Sequence, residues 1–278
     1  MSLFTRIVLP TTRVNLTTSQ RICRPFTSSV SRLNNYYPRP RLGSRQQPPN
    51  NPYNQHNQYE YYQPPPRIDA GKLALGSIVA GCVGVSAYNY YLETEVRTSF
   101  SFKQASKLLQ EFQKHFVLSW QKIQDGKYYT ILSSTFLHTS AIHLGFDMLA
   151  LWTIGRGIII LHGIPSFMVL YVGSALAAGV AEYCWWEYKG DRYGSIVGNS
   201  GVISGLFGAI TCIAPGSWMI FNFVPVKMYI GFTLGVTLSI AGLLGYLGPY
   251  DLGHASHLGG AGFGVLWFLA TKGRFRRL

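Results

Sequence analysis

Acidic residues are missing from the first 59 positions, and Glu60 is the first of eleven in a chain of 278 residues. Residues 1–45 contain no Lys either, yet they hold eight arginines: Arg6, Arg13, Arg21, Arg24, Arg32, Arg39, Arg41 and Arg45. Charge of one sign without the other excludes an ordinary mixed-charge globular surface. A long apolar run is missing here too, which argues against a secretory signal peptide. What remains is rich in Arg, Ser and Thr, the composition of a mitochondrial presequence. Such a segment can form a basic amphipathic helix drawn inward by a negative-inside potential. Arg24-Pro25-Phe26-Thr27-Ser28-Ser29 is similar to presequence cleavage sites. Residues 1–45 are therefore expected to be a presequence.

The same segment accounts for most of the formal charge of +13. Beyond residue 45, sixteen basic residues stand against eleven acidic ones, so no nucleic-acid partner is expected. Cysteine is scarce as well. Cys23, Cys82, Cys184 and Cys212 form no close pair with metal-ligand spacing, and neither a metal nor a cofactor is expected. Residues 34–66 are rich in Asn, Gln, Tyr and Pro, end in Pro64-Pro65-Pro66, and have too little aliphatic content to bury a core. Residues 46–70 are expected to be a disordered linker, and residues 71–278 a membrane domain.

Long apolar runs are what the rest of the chain has in quantity. Six near membrane-spanning length follow one another, at about 73–91, 142–161, 165–183, 199–215, 226–247 and 255–271. This predicts an all-α membrane protein with six spans. Between the first two runs lies a longer loop, in which Ser101 and Gln104 fit a capping box. Ala105, Leu108, Leu109, Phe112, Phe116, Trp120 and Ile123 then recur at helical spacing. That predicts an amphipathic helix, too polar to span, against the bilayer surface or the bundle. Six spans put both termini on one side. Lys272, Arg274, Arg276 and Arg277 follow the last run, and the positive-inside rule then places both termini in the matrix.

Ionisable groups inside spans are costly and mark function by default. His143 and Asp147 lie in the second run, Ser200 opens the fourth, and His254 and His257 open the sixth. All fall near helix ends on the same side, which predicts one shallow polar site. His143 and Asp147 share a helical face, a spacing that suits a pair gluing helices together as well as a functional pair. Ser200 stands in Gly198-Asn199-Ser200-Gly201, and Gly201, Gly205 and Gly208 form a stripe that lets another helix approach closely. Gly260 and Gly264 share the face of His257. Two glycine-faced helices would bring Ser200 and His257 within hydrogen-bond reach, as an activated nucleophile needs. His254, one turn earlier, is a competing base and is expected to be the more exposed.

These residues resemble the rhomboid family of intramembrane serine proteases. Members carry Gly-x-Ser-Gly on the fourth helix, Ala-His-x-x-Gly on the sixth, and a His followed four residues later by Asn on the second. Here Gly198 to Gly201, Ser256 to Gly260, and His143 to Asp147 after Phe136-Leu137-His138 fall in the same order, within roughly residues 71–272. The resemblance implies a six-transmembrane-helix rhomboid bundle with a long, partly helical loop between the first two spans, in the mitochondrial inner membrane. It implies Ser200 as nucleophile, His257 as general base, His143 and the Ser200 backbone N–H as oxyanion-hole donors, and Gly198, Gly201 and Gly260 as motif glycines. It also implies single-pass transmembrane substrates cut near the membrane boundary within the lipid bilayer, with no cofactor.

Two positions depart from the family pattern. Ser256 replaces the usual Ala, a small change. Asp147 stands where the family has an oxyanion-stabilising Asn. An amide donates to developing negative charge, an ionised carboxylate repels it, and losing one donor costs about 10²–10³ in rate. A protonated Asp147 would still donate, whereas pairing with His143 would keep it ionised. The alternative reading is a catalytically weak or inactive rhomboid-like protein that binds membrane helices. A transporter would need charges deeper in the spans.

Overall fold

A computed structural model describes residues 69–98, 101–221, 224–247 and 253–275. The expected presequence, and the expected linker apart from Asp69 and Ala70, fall outside these residues. In chain order the described helices are α1 Ala70–Thr98, α2 Phe102–Phe116, α3 Trp120–Gln124, α4 Thr130–Ser133, α5 Ala141–Lys189, α6 Ser200–Ile213, α7 Met228–Leu243 and α8 His254–Phe275. A 3₁₀ turn at Ser134–Phe136 follows α4. Strands β1 Leu118–Ser119 and β2 Ser195–Ile196 pair antiparallel, as do β3 Trp218–Phe221 and β4 Val224–Lys227.

Among the described residues two helices, α1 and α5, are long and apolar enough to cross a membrane. α5 joins two of the apolar runs. It breaks at Gly163, whose φ of 82° and ψ of 169° favour glycine, and Pro165 follows where the helix restarts. Each arm, 141–162 and 164–189, has the length to cross a hydrocarbon core of ~30 Å at ~1.5 Å per residue. α6 and α7 are shorter apolar helices. The fifth apolar run becomes helical only at Met228, because the residues before it form the β3–β4 hairpin.

α6 lies at the centre of the core. Its Val202, Leu206, Ala209 and Ile210 cluster with Leu151, Ile154 and Ile158 from one arm of α5. Phe167, Leu170, Tyr171 and Ala175 come from the other arm, and Leu75 from α1. α6 and α8 meet backbone to backbone. A Cβ on Gly260 would run into the Gly201 carbonyl, and one on Gly264 into that of Gly205. This is the register that the glycine spacing predicts, and small residues are what permit it.

The loop before α5 differs from expectation. Val117 is extended, with φ −109° and ψ 126°, so α2 stops at Phe116 and the helical periodicity does not continue as one helix. Trp120 and Ile123 belong to α3 instead. Ser101 occupies the N-cap of α2 but makes no side-chain capping bond, so the capping box does not form. The other end is closed by Lys122, whose Nζ donates to the Gln113 carbonyl at 2.7 Å and the Val117 carbonyl at 2.9 Å. Burial, with Lys127 nearby, pulls the Lys122 ammonium down to about 8. α2 leans on α1 through the Tyr88 and Phe112 rings, 5.0 Å apart. The β1–β2 pairing ties the loop to the segment that enters α6.

Candidate active site

Strand β2, Gly198 and Asn199 deliver the chain to Ser200, the first residue of α6. Gly198 has φ 109°, and its N–H donates to the Ser134 carbonyl at 3.0 Å. A Cβ there would lie 2.9 Å from His143 Cε1. The backbone angle and the space both call for glycine. Gly201 is equally confined, since a Cβ would lie 2.7 Å from that of Ala178.

Ser200 Oγ lies 2.8 Å from His257 Nε2. This is the contact through which an imidazole takes a hydroxyl proton. His257 is on the first turn of α8, and its N–H donates to the Gly253 carbonyl at 3.1 Å. His254 is not the more exposed of the two, contrary to expectation; it is buried against Gly242 of α7. Among the described residues neither of its ring nitrogens has a hydrogen-bond partner. The geometry therefore pairs Ser200 with His257. A cavity of about 100 Å³ opens beside His257, lined by Phe207, Phe232, Val236, Ser239 and Leu258 among others.

His143 Nε2 lies 3.3 Å from Asp147 Oδ2. A second imidazole joins the pair. His138 Nε2 lies 3.2 Å from the same Oδ2 and 3.4 Å from Asn199 Oδ1. Two oxygens facing one ring nitrogen assign it the proton. His138, Asn199 and Asp147 are buried, while the His143 side chain keeps 39% exposure. Asp147 is thus the acceptor shared by two imidazoles, the arrangement of a carboxylate paired with His143.

Three residues of this neighbourhood escape the sequence reading as site residues. His138 and Asn199 stand inside the motif strings themselves. Glu182 is fully buried, and its Oε2 accepts the Ser256 N–H at 2.8 Å. As an acidic residue in an apolar run it carries the same signal as Asp147. Ser256 does more than replace an Ala, since its Oγ donates to the Gly253 carbonyl at 2.7 Å and closes the turn before His257. Among the described residues, no cluster of His, Cys, Asp and Glu has the arrangement of a metal site.

The Rhomboid domain model matches residues 125–273, the stretch that holds both Ser200 and His257. The chain belongs to the rhomboid family. It is of the mitochondrial type. It is similar to Rhomboid protein 1, mitochondrial, of Saccharomyces cerevisiae, 33% identical over 189 residues that cover 64% of this chain and 53% of that protein. Presenilin-associated rhomboid-like protein, mitochondrial, of Homo sapiens is 31% identical over 145 residues, 50% of this chain and 36% of its own length. Rhomboid protease GluP of Bacillus subtilis is 28% identical over 92 residues, 33% of this chain and 17% of its own. The chain thus spans about half the length of the yeast relative and about a third of the human one.

Proposed function

We propose that the chain is an intramembrane serine endopeptidase of the mitochondrial inner membrane that cuts single-pass membrane proteins near the membrane boundary. The observation that carries this reading is the 2.8 Å contact between Ser200 Oγ and His257 Nε2. His257 takes the hydroxyl proton as Oγ attacks the carbonyl, and returns it to the leaving amine. Water then attacks the acyl-enzyme with His257 again as base. The Ser200 N–H, at a helix start without an intrahelical partner, donates to the oxyanion, and His143 beside Gly198 is the side-chain donor once its Nε2–H turns from Asp147 Oδ2 or its ring carries both protons.

Six spans are proposed: α1, the two arms of α5, α6, α7 and α8. Basic residues after α8 support both termini in the matrix. The site then faces the intermembrane space. Residues 1–45 serve as presequence and 46–70 as linker to the membrane domain. The mitochondrial relatives and the Arg-rich start support this location.

The test uses purified protein in liposomes, a membrane-anchored peptide and a fluorophosphonate probe. Ser200→Ala and His257→Ala are expected to lose about 10⁴-fold or more in cleavage while inserting normally. Undiminished cleavage by Ser200→Ala sinks the reading. Asp147 favours a second reading, a catalytically weak or inactive protein that binds membrane helices, because a carboxylate engages His143 where the family has an amide. A wild type that binds helices but takes no probe supports that reading instead.

A further inference from the structure

Among the described residues two acidic side chains are buried, Asp147 and Glu182, and the proposed mechanism gives Glu182 no task. Glu182 lies near the end of α5 with no exposed surface. A carboxyl in that position is costly unless it is hydrogen-bonded. Its Oε2 accepts the N–H of Ser256, the third residue of α8, at 2.8 Å. The N–H groups of a helix's first turn have no partner within the helix. They are ordinarily capped by a side chain just before the helix, and acidic groups are favoured at that end. Here the cap comes from another helix. The residue that precedes α8, Gly253, has no side chain to offer and takes φ 68°, and a Cβ on it would lie 3.1 Å from Ser256 Oγ.

The cap is one residue away from the base. Ser256 is also pressed against the nucleophile's helix: a Cβ on Gly201 would lie 3.3 Å from the Ser256 carbonyl oxygen and 3.4 Å from its Oγ. Ser256 is therefore held between Glu182 of α5 and Gly201 of α6, and His257 follows it in the chain.

We propose that Glu182 is a positioning residue: by accepting the Ser256 N–H it fixes the first turn of α8 so that His257 Nε2 meets Ser200 Oγ. This rests on the Ser–His reading above. A misplacement of about 1 Å at such a contact costs on the order of 10²-fold in rate.

The experiment compares full-length wild type, Glu182→Gln, Glu182→Leu and Ser256→Pro in liposomes. It reads kcat and KM on a membrane-anchored peptide, the rate of fluorophosphonate labelling and the thermal midpoint. Gln keeps an oxygen acceptor, Leu keeps bulk without one, and Pro removes the donor at a position where the first helical turn accommodates it. Leu and Pro are expected to lower kcat and labelling about ten- to hundredfold with KM within about twofold, and Gln to restore kcat to within about threefold. Wild-type kcat in Leu or Pro overturns the proposal. So does a Gln variant that is folded at the assay temperature and as slow as Leu. Ser200→Ala runs in parallel. If it takes no probe, the dyad stands and Glu182 is judged by its own variants; if it labels like wild type, the dyad reading falls and this proposal with it.

Discussion

Replacing Asp147 with Asn sets stability against chemistry at a single atom. Asp147 Oδ2 faces His138 Nε2 at 3.2 Å and His143 Nε2 at 3.3 Å. A hydrogen bond to a charged group is worth about 1.5–3 kcal/mol, against about 0.5–1.5 for a neutral one. An amide of the same shape keeps an oxygen acceptor and loses the charge, so the folded state should lose about 1–3 kcal/mol. The reaction should gain. The substitution removes a negative charge beside the oxyanion site and supplies an N–H donor. One such donor is worth at most about 10²–10³ in kcat, and with two donors already proposed the expected rise is about tenfold. Fluorophosphonate labelling reports the acylation step, cleavage in liposomes reports turnover, and protease resistance on heating reports stability. The expected variant is faster and less stable. A folded Asp147→Asn that labels more slowly than wild type refutes the reasoning, because the carboxylate would then be serving catalysis through His143.

Two further perturbations probe the frame around the site. Gly260→Ala drives a Cβ into the Gly201 carbonyl; it should cost about 1–3 kcal/mol by overpacking and about 10²-fold in probe labelling by parting Ser200 from His257. Equal labelling of variant and wild type would contradict the backbone contact. Lys122 has a folded value of about 8 against an ordinary 10.5, so the unfolded chain binds more protons between those two values. Stability from this group therefore rises with pH through that window, and below pH 8 the ammonium carries the burial cost in full. Proteolytic nicking of the loop around Lys122 should slow from pH 8 to 10 in wild type relative to Lys122→Met, and parallel profiles would refute this.

What the sequence discloses is what is local to it. Gly201, Gly205, Gly260 and Gly264 state both where a helix is thin and on which face, so the α6–α8 contact and the Ser200–His257 pair follow from spacing. The end of α2 at Phe116 does not. It is set by pairing with β2, distant in the chain, and by Lys122 reaching back to the last carbonyls, while helical periodicity runs on across the break. The burial of His254 depends on Gly242 of α7 lying over its ring. Hydropathy counts the β3–β4 residues as apolar but does not distinguish a hairpin from a helix. Glu182 is visible as an acidic residue in an apolar run, yet its partner is a backbone N–H, which leaves no mark on composition.

The contact of α6 with α8 has one more consequence. Two backbones that touch have no rotamers with which to absorb a shift. If α8 slides along α6, the next position that seats glycine against carbonyl is about one turn away, roughly 5.4 Å. No hydrogen bond survives that displacement. A slide of the whole helix should therefore break the Ser200–His257 pair outright, unlike a small shift confined to the first turn of α8. Heat or a change in bilayer thickness should alter how many molecules are competent while leaving the rate constant of each competent one nearly unchanged. Activity should thus titrate as a population.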